Sequence, residues 1–305
     1  MLTFVIPARS QREMTAECLA STLGSVRQLG LDSIADFVLL DDNSEPADGI
    51  NDLFRAFRQQ SGRPTAIYRF KQRQHYSRIL AHALSFAQGE NVFFISNDMV
   101  VTPHWMRTLL SVAALDRTFG IIRGTAQIVD SHPEHQFIPP FPLRSSDDIV
   151  NFSAYMAQTV GLLHEEDQLL SGDAVLVRRA LIDAIGVGDT RYYAYFGDID
   201  YGLRAQRAGF KLVCASGAWL EHRGQGYVKA EAAQSKATME QQHTKRMATV
   251  QDAYLMFRQK WDPTLPEKYA GTQDWNFDRL RTLTRPKGWD YIAPIKAEAA
   301  AVEKL

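Results

Sequence analysis

Leu39-Leu40-Asp41-Asp42-Asn43-Ser44 decides how this chain is read. An apolar run from Phe37 to Leu40 stops at two acids, an amide and a hydroxyl. A short run that is apolar on both faces is a buried parallel strand, and here it delivers carboxylates at its carboxyl end. In open α/β sheets ligands bind at that edge. Val92-Phe93-Phe94-Ile95 ends in the same way, at Ser96-Asn97-Asp98. Two strands presenting acids at one edge suit a metal ion together with a polar, phosphate-bearing ligand.

Outward from these strands, helical and strand patterns alternate. Leu2 to Ile6 is an apolar strand closed by Pro7. Met14, Cys18, Leu19, Leu23, Val26 and Leu29 recur at helical spacing, and Gly30 ends that helix. A helix over 47–60, a strand over 66–70, a helix over 75–87 and a helix over 104–115 opened by Pro103 follow. The alternation predicts an α/β fold with a mostly parallel sheet and helices on both faces. The second half is less regular. It reads as a strand over 120–129 and a long connection over 130–150. A strand over 169–177 leads into a helix from Arg178. The aromatic cluster Tyr192-Tyr193-Ala194-Tyr195-Phe196 precedes a helix that opens at Gly197-Asp198-Ile199-Asp200 and runs to Ala208. A strand over 211–215, one or two helices over 229–260 and a loosely packed Ala- and Lys-rich tail over 285–305 complete the chain.

Bulk properties narrow the function. The 305 residues are 45% hydrophobic and 23% charged, enough for a substantial core. A net charge of −1 lacks the basic excess of a nucleic-acid binder. Two cysteines, Cys18 and Cys214, are too few for a disulfide framework or a thiolate metal site. The opening strand carries no basic leader, and no apolar run reaches the length of a membrane span. A cytoplasmic protein is expected, with peripheral membrane association still compatible.

Each polar motif has a functional and a structural reading. Asp41-Asp42 suits a base or ribose, or an Asx-type turn after the strand. Asp98 suits a hard divalent ion, or a cap ahead of Pro103. Asp198 and Asp200 are favoured at a helix start by the macrodipole, and either one can act as a general base on a hydroxyl. The aromatics upstream are a sugar platform or core. His222, in Leu220-Glu221-His222-Arg223-Gly224, is a structural imidazole or a metal ligand beside Asp98.

Taken in order, these pieces resemble the family 2 glycosyltransferases of the GT-A fold. The resemblance is carried by Val5-Ile6-Pro7, Asp41-Asp42-Asn43-Ser44, Ala87-Gln88-Gly89-Glu90, and Phe93 to Asp98 with Pro103-His104-Trp105. It continues in Ser171-Gly172-Asp173-Ala174 with Arg178-Arg179, then Phe196 to Asp200, Arg204, Gly209-Phe210 and His222, and so spans residues 2 to about 225. Phe257-Arg258-Gln259-Lys260-Trp261 looks like the closing helix of such enzymes. Each motif is loose; their joint order is specific.

The resemblance implies a GT-A catalytic domain over 1–226, nucleotide-binding over about 1–115 and acceptor-binding over about 116–226, with a C-terminal helical extension over 227–305. It implies inverting transfer from a UDP-, GDP- or dTDP-sugar to a hydroxyl of a saccharide or lipid-linked acceptor, in surface polysaccharide or glycolipid assembly. Pro7, Arg9, Asp41, Asp42, Ser96 and Asn97 would hold the nucleotide, and Asp98 and His222 would bind Mn2+ or Mg2+. Asp198 would be the base, with Gly172, Asp173 and Asp200 on the acceptor or donor sugar. The chain departs from the family at Ser96, where an acid is usual, at Gly197, where Glu is common, and at Ala81 and Ala83, where Asn and Gly are usual. One alternative is a sugar nucleotidyltransferase, but Pro7-Ala8-Arg9-Ser10 is not the glycine-rich loop that chemistry wants. Another is a non-catalytic nucleotide or glycan binder, which the retention of Asp98 and Asp198 argues against.

Overall fold

The computed structural model describes residues 1–129, 133–224, 238–283 and 302–305. Strands β1 (Leu2–Ala8), β2 (Ala35–Asp41), β3 (Thr65–Phe70) and β4 (Asn91–Ile95) run parallel. Helices α1 (Arg12–Gln28), α2 (Ile50–Ser61) and α3 (His75–Phe86) connect them. Next come β5 (Met99–Val100), α4 (Pro103–Leu115), β6 (Phe119–Ala126), α5 (Ser146–Thr159) and β7 (His164–Glu166). Then follow β8 (Ala174–Arg178), α6 (Arg179–Ile185), α7 (Gly197–Arg207) and β9 (Lys211–His222). The described remainder is α8 (Met239–Trp261), α9 (Phe277–Thr282) and β10 (Val302–Lys304).

Among the described residues the strands form one sheet in the order β10-β3-β2-β1-β4-β8-β6-β9-β5, with β7 also on β9. Strand β8 is antiparallel to both of its neighbours, and Ile95 of β4 opposes Ala174 of β8. The end of β4 therefore meets the start of β8. The inversion brings the Gly172-Asp173 segment to the edge where the parallel strands end.

Alternation along the strands divides the core into two layers. Phe4, Ile6, Phe93 and Ile95 face α1, α2 and α4, and Phe4 stacks on Phe93 with ring centroids 4.9 Å apart. Val5 and Phe94 face α3, α6 and α7 on the other side. A third cluster joins Phe196 and Ile199 to Tyr254, Phe257 and Trp261 of α8 and to Trp275.

The first half follows the expected alternation closely, and the second half differs in four places. The connection over 130–150 gives way to α5, nucleated by a capping box in which Ser145 Oγ accepts the Asp148 N–H and Asp148 accepts the Ser145 N–H. The strand expected from Leu169 begins only at Ala174. The strand expected to stop at 215 continues to His222, through an irregularity opposite Arg123 to Thr125 that absorbs Ser216-Gly217. In the tail, Val302–Lys304 pairs with the edge strand β3, while 285–301 lies outside the described residues, as do 229–237 of the expected long helix. Among the described residues no helix is long and apolar enough to cross a membrane.

The bend of β9 depends on a glycine. A Cβ on Gly124 would lie 2.0 Å from the Ala218 carbonyl oxygen and 2.8 Å from Trp105 Nε1, both fixed in the core. Gly124→Ala is expected to destabilise the protein by about 1–3 kcal/mol, seen as a lower urea midpoint at unchanged slope.

Candidate active site

The two-residue strand β5 places Met99 opposite His222 of β9. Asp98 and His222 are thereby set side by side, with Asp98 Oδ2 3.2 Å from His222 Nε2. The Arg223 N–H donates to the Asp98 carbonyl at 2.9 Å, which ties the end of β9 to the turn after β4. His222 Nδ1 donates to the Ile128 carbonyl at 2.9 Å and so aims Nε2 at the carboxylate. Burial opposes a charge on this ring. The hydrogen bond and charge of Asp98, with the charge of Asp173, outweigh that and lift its pKa to about 9.

Asp173 closes the group from β8. Its carbonyl accepts the Ser96 N–H at 2.9 Å, locking the end of β4 to the start of β8. Its carboxylate lies 3.9 Å from His222 Nδ1 and 3.7 Å from Arg123 Nη2. Arg123 sits in the middle of β6 with its side chain buried, and sequence reasoning passed over it. The available signal was a charge inside the apolar run Gly120-Ile121-Ile122-Arg123-Gly124, where a buried cation needs a counterion.

Asp198 occupies the first turn of α7, after Phe196 turns the chain with φ 67°. Burial raises its carboxyl pKa. The N–H groups of Ile199 and Gly172 pull it back, the negative charge of Asp173 adds to the rise, and the result is about 6. Gly172 can approach because it lacks a side chain: a Cβ there would lie 2.2 Å from the Tyr76 hydroxyl. Gly197, at the departure from the family pattern, is equally constrained. A Cβ would sit 2.5 Å from that of Ser77, whose Oγ accepts the Gly197 N–H at 3.3 Å.

On the other side of the cleft, Arg9 follows Pro7 at the end of β1 and donates to the carbonyls of Asp42 and Asn43 at 2.8 and 2.9 Å. Asp42 accepts the N–H groups of Gln74 and His75, where α3 begins; burial raises its pKa and those two bonds oppose the rise. The neighbouring aromatics divide. Tyr192 and Phe196 are buried, whereas Tyr193 is 38% exposed with its ring 4.1 Å from that of His75.

The structure thus gathers Asp98, Asp173, Asp198, Gly172 and His222 at one sheet edge, with Ser96 between the strands and Pro7, Arg9 and Asp42 flanking them. Three expected site residues are not brought there. Asp41 is wholly buried, accepts the Ser44 N–H at 2.8 Å and lies beside Arg69, so it shapes the turn. Asn97 spends its amide on Thr15 Oγ1 of α1 at 2.8 Å. Asp200 is buried against Lys260 and Trp261, away from the cleft, because consecutive i, i+2 positions on a helix face different directions.

The donor set suits a divalent cation only in part. Among the described residues no group of three or more His, Cys, Asp or Glu side chains is arranged around one metal position. Asp98 and His222 supply one oxygen and one nitrogen, which fits an ion that takes its remaining ligands from phosphate and water.

Comparison with known proteins places this geometry in context. The model of the Glycosyl transferase family 2 matches residues 3–186. A search of curated proteins finds no match. Among solved structures, the mannosyltransferase PcManGT from Pyrobaculum calidifontis in complex with GDP-Man and Mn2+ is 13% identical with a TM-score of 0.54, covering 84% of this chain and 63% of its own. S. aureus TarS 1–349 is 12% identical with a TM-score of 0.50, covering 84% and 72%. GalNAc-T7 with UDP, GalNAc and Mn2+ is 14% identical with a TM-score of 0.53, covering 73% and 43%. The chain therefore spans less than two thirds of the mannosyltransferase it matches. At these identities the likeness is one of fold, a mixed α/β sheet flanked by helices in the GT-A manner. The family match covers more than half of the chain, including the ends of β1, β2 and β4, and this protein belongs to glycosyltransferase family 2.

Proposed function

We propose that the protein transfers a sugar from a nucleotide-diphosphate sugar to a hydroxyl of a saccharide or lipid-linked acceptor, with inversion at the anomeric carbon. The observation that carries this is the pairing of two environments at one edge: the charged Asp98–His222 pair, and the Asp198 carboxyl whose pKa lies near 6. The first suits a diphosphate with its cation, the second a proton acceptor working near neutral pH.

In this reading Arg9, Asp42 and Pro7 take the nucleoside, and Asp98 and His222 are the residues that would hold Mn2+ or Mg2+. When bound, the cation neutralises charge on the departing diphosphate. Asp198 accepts the acceptor hydroxyl proton. The hydroxyl oxygen bonds to the anomeric carbon, and the opposite carbon–oxygen bond breaks with its electron pair leaving on phosphate. Asp173, bridged between Arg123 and His222, is placed to contact a sugar hydroxyl. Residues 1–115 serve the donor and 116–226 the acceptor, and α8 of the C-terminal extension packs on α7 of the acceptor half. The reaction belongs to surface polysaccharide or glycolipid assembly in the cytoplasm, at the inner face of the membrane when the acceptor is lipid-linked. The relatives solved with GDP-Man and with UDP support a nucleotide-bound donor and leave UDP, GDP and dTDP all open for this chain.

Thermal melting against UDP-, GDP- and dTDP-sugars, each with and without Mn2+, tests the donor site. Saturation at a hundredfold over Kd stabilises the native state by about 2.7 kcal/mol. One nucleotide class is expected to raise Tm in a metal-dependent way, and Asp98→Asn or His222→Ala to abolish the metal dependence. No shift with any nucleotide favours a non-catalytic binder. Asp198→Asn is expected to retain nucleotide binding and lose about 10²–10⁴-fold in kcat. In the parent, kcat should rise with pH through about 6, as Asp198 loses its proton, and then level. Stability runs the other way. The folded pKa lies above the ordinary value of 3.8, so this group stabilises the fold fully below 3.8 and loses that contribution as pH passes 6. The Tm of Asp198→Asn relative to the parent should accordingly be higher at pH 7.5 than at pH 5.

A further inference from the structure

The transfer chemistry does not account for a lysine buried at the end of α8. Lys260 Nζ lies 2.6 Å from Asp200 Oδ1 and 2.8 Å from Asp189 Oδ2, with its side chain 1% exposed. Trp261 Nε1 donates to the same Asp200 oxygen at 2.8 Å. Arg191 closes Asp189 from the other side, Nε to Oδ1 at 2.8 Å. Two carboxylates and two cations thus compensate one another, with Lys260, Asp189 and Asp200 buried and Arg191 on the exposed side. Burial alone would raise the Asp189 pKa; the Arg191 hydrogen bond and the Lys260 charge reverse that and hold it well below the usual carboxylate range.

What these groups are attached to gives the cluster its meaning. Asp189 lies on the segment 186–196 that leads into α7, and Asp200 lies two residues beyond Asp198 on the first turn. The Asp200 N–H donates to the Phe196 carbonyl at 2.9 Å, and the Phe196 ring packs on Tyr254 and Phe257 of α8 with centroids 5.8 and 5.4 Å away. Arg204 fixes the far end of the same segment by donating to the Val187 carbonyl at 2.7 Å. One ammonium therefore joins the chain before Asp198 to the chain after it, and fastens both to α8.

We propose that Lys260 is a positioning residue for Asp198: it holds the 186–196 segment and the first turn of α7 together, so that the half-buried Asp198 carboxyl stays against the Gly172 N–H. The inference rests on the reading of Asp198 as the general base. Without Lys260, Asp189 would keep Arg191 while the buried Asp200 carboxylate would lose this cation; the segment would part from α7 and Asp198 would become more exposed. Displacements of about 1 Å in such geometry cost on the order of 100-fold in rate.

The test is the titration of the Asp198 carboxyl, followed by NMR in the full chain carrying 13C-labelled aspartate and assigned by the signal missing in Asp198→Asn. The groups that act most strongly on Asp198 are burial, the N–H donors and Asp173, and Lys260 is not among them. Loss of a nearby cation would by itself raise the Asp198 midpoint, so a fall on replacing Lys260 reports altered burial. The parent midpoint is expected near 6, Lys260→Met near the ordinary 3.8, and Lys260→Arg near the parent. A folded Lys260→Met with the parent midpoint overturns the proposal. If that variant does not fold, Asp189→Leu, which removes the carboxylate through which Lys260 holds the 186–196 segment, is read in the same way. A lowered midpoint supports the proposal and an unchanged one overturns it. Hydrolysis of UDP-GalNAc and GDP-mannose with Mn2+ is measured in parallel for Asp198→Asn. Undiminished hydrolysis there removes the base role itself, a failure distinct from an unmoved titration.

Discussion

Three carboxylates, on Asp98, Asp173 and Asp198, converge on one end of the sheet, and like charges in a partly dry cleft must be compensated. The structure does this in two ways. His222 and Arg123 stand as internal counterions to Asp98 and Asp173. Asp198 has no such cation among its strongest influences and instead has a raised pKa, so it carries a proton more readily than an ordinary carboxyl. The two solutions suit different tasks. A charged imidazolium beside a carboxylate is a place where an incoming cation can replace a proton, whereas a carboxyl near half-ionisation can exchange a proton with a substrate.

That convergence depends on β8 running against its neighbours. The parallel strands alone would present only the residues after β1, β2 and β4. Strand inversion places the start of β8 at the same edge, and the Ser96–Asp173 backbone bond fixes the two halves in register. Strand β9 then delivers His222 from the second half of the chain, far along the chain from its partner Asp98. No local segment contains the site, so its geometry is only as firm as the sheet that joins the two halves.

This division explains what could be read from sequence. The first half was legible because β1, β2 and β4 are largely apolar on both faces and the helices between them carry apolar stripes. Leu2–Ala8 through Pro103–Leu115 fall close to their expected places. In the second half local signals mislead. Ser216-Gly217 reads as a strand end, yet β9 bulges there and continues. Asp198 and Asp200 look alike as helix-opening acids, and only tertiary packing turns one towards the cleft and the other towards Lys260. Lys260 itself, in the last turn of a helix, is indistinguishable from a residue serving the macrodipole. Asp41 and Asp42 pose the same problem: adjacent acids on an extended strand point to opposite sides, and sequence does not say which side is the cleft.

The contact between Gly197 and Ser77 bears on how this chain can change over time. Ser77 of α3 occupies the space that a side chain at 197 would need. An acid at 197 would wedge α3 and α7 apart unless position 77 also gave way. The two positions are coupled in what they permit. Homologues should therefore differ at them together or not at all.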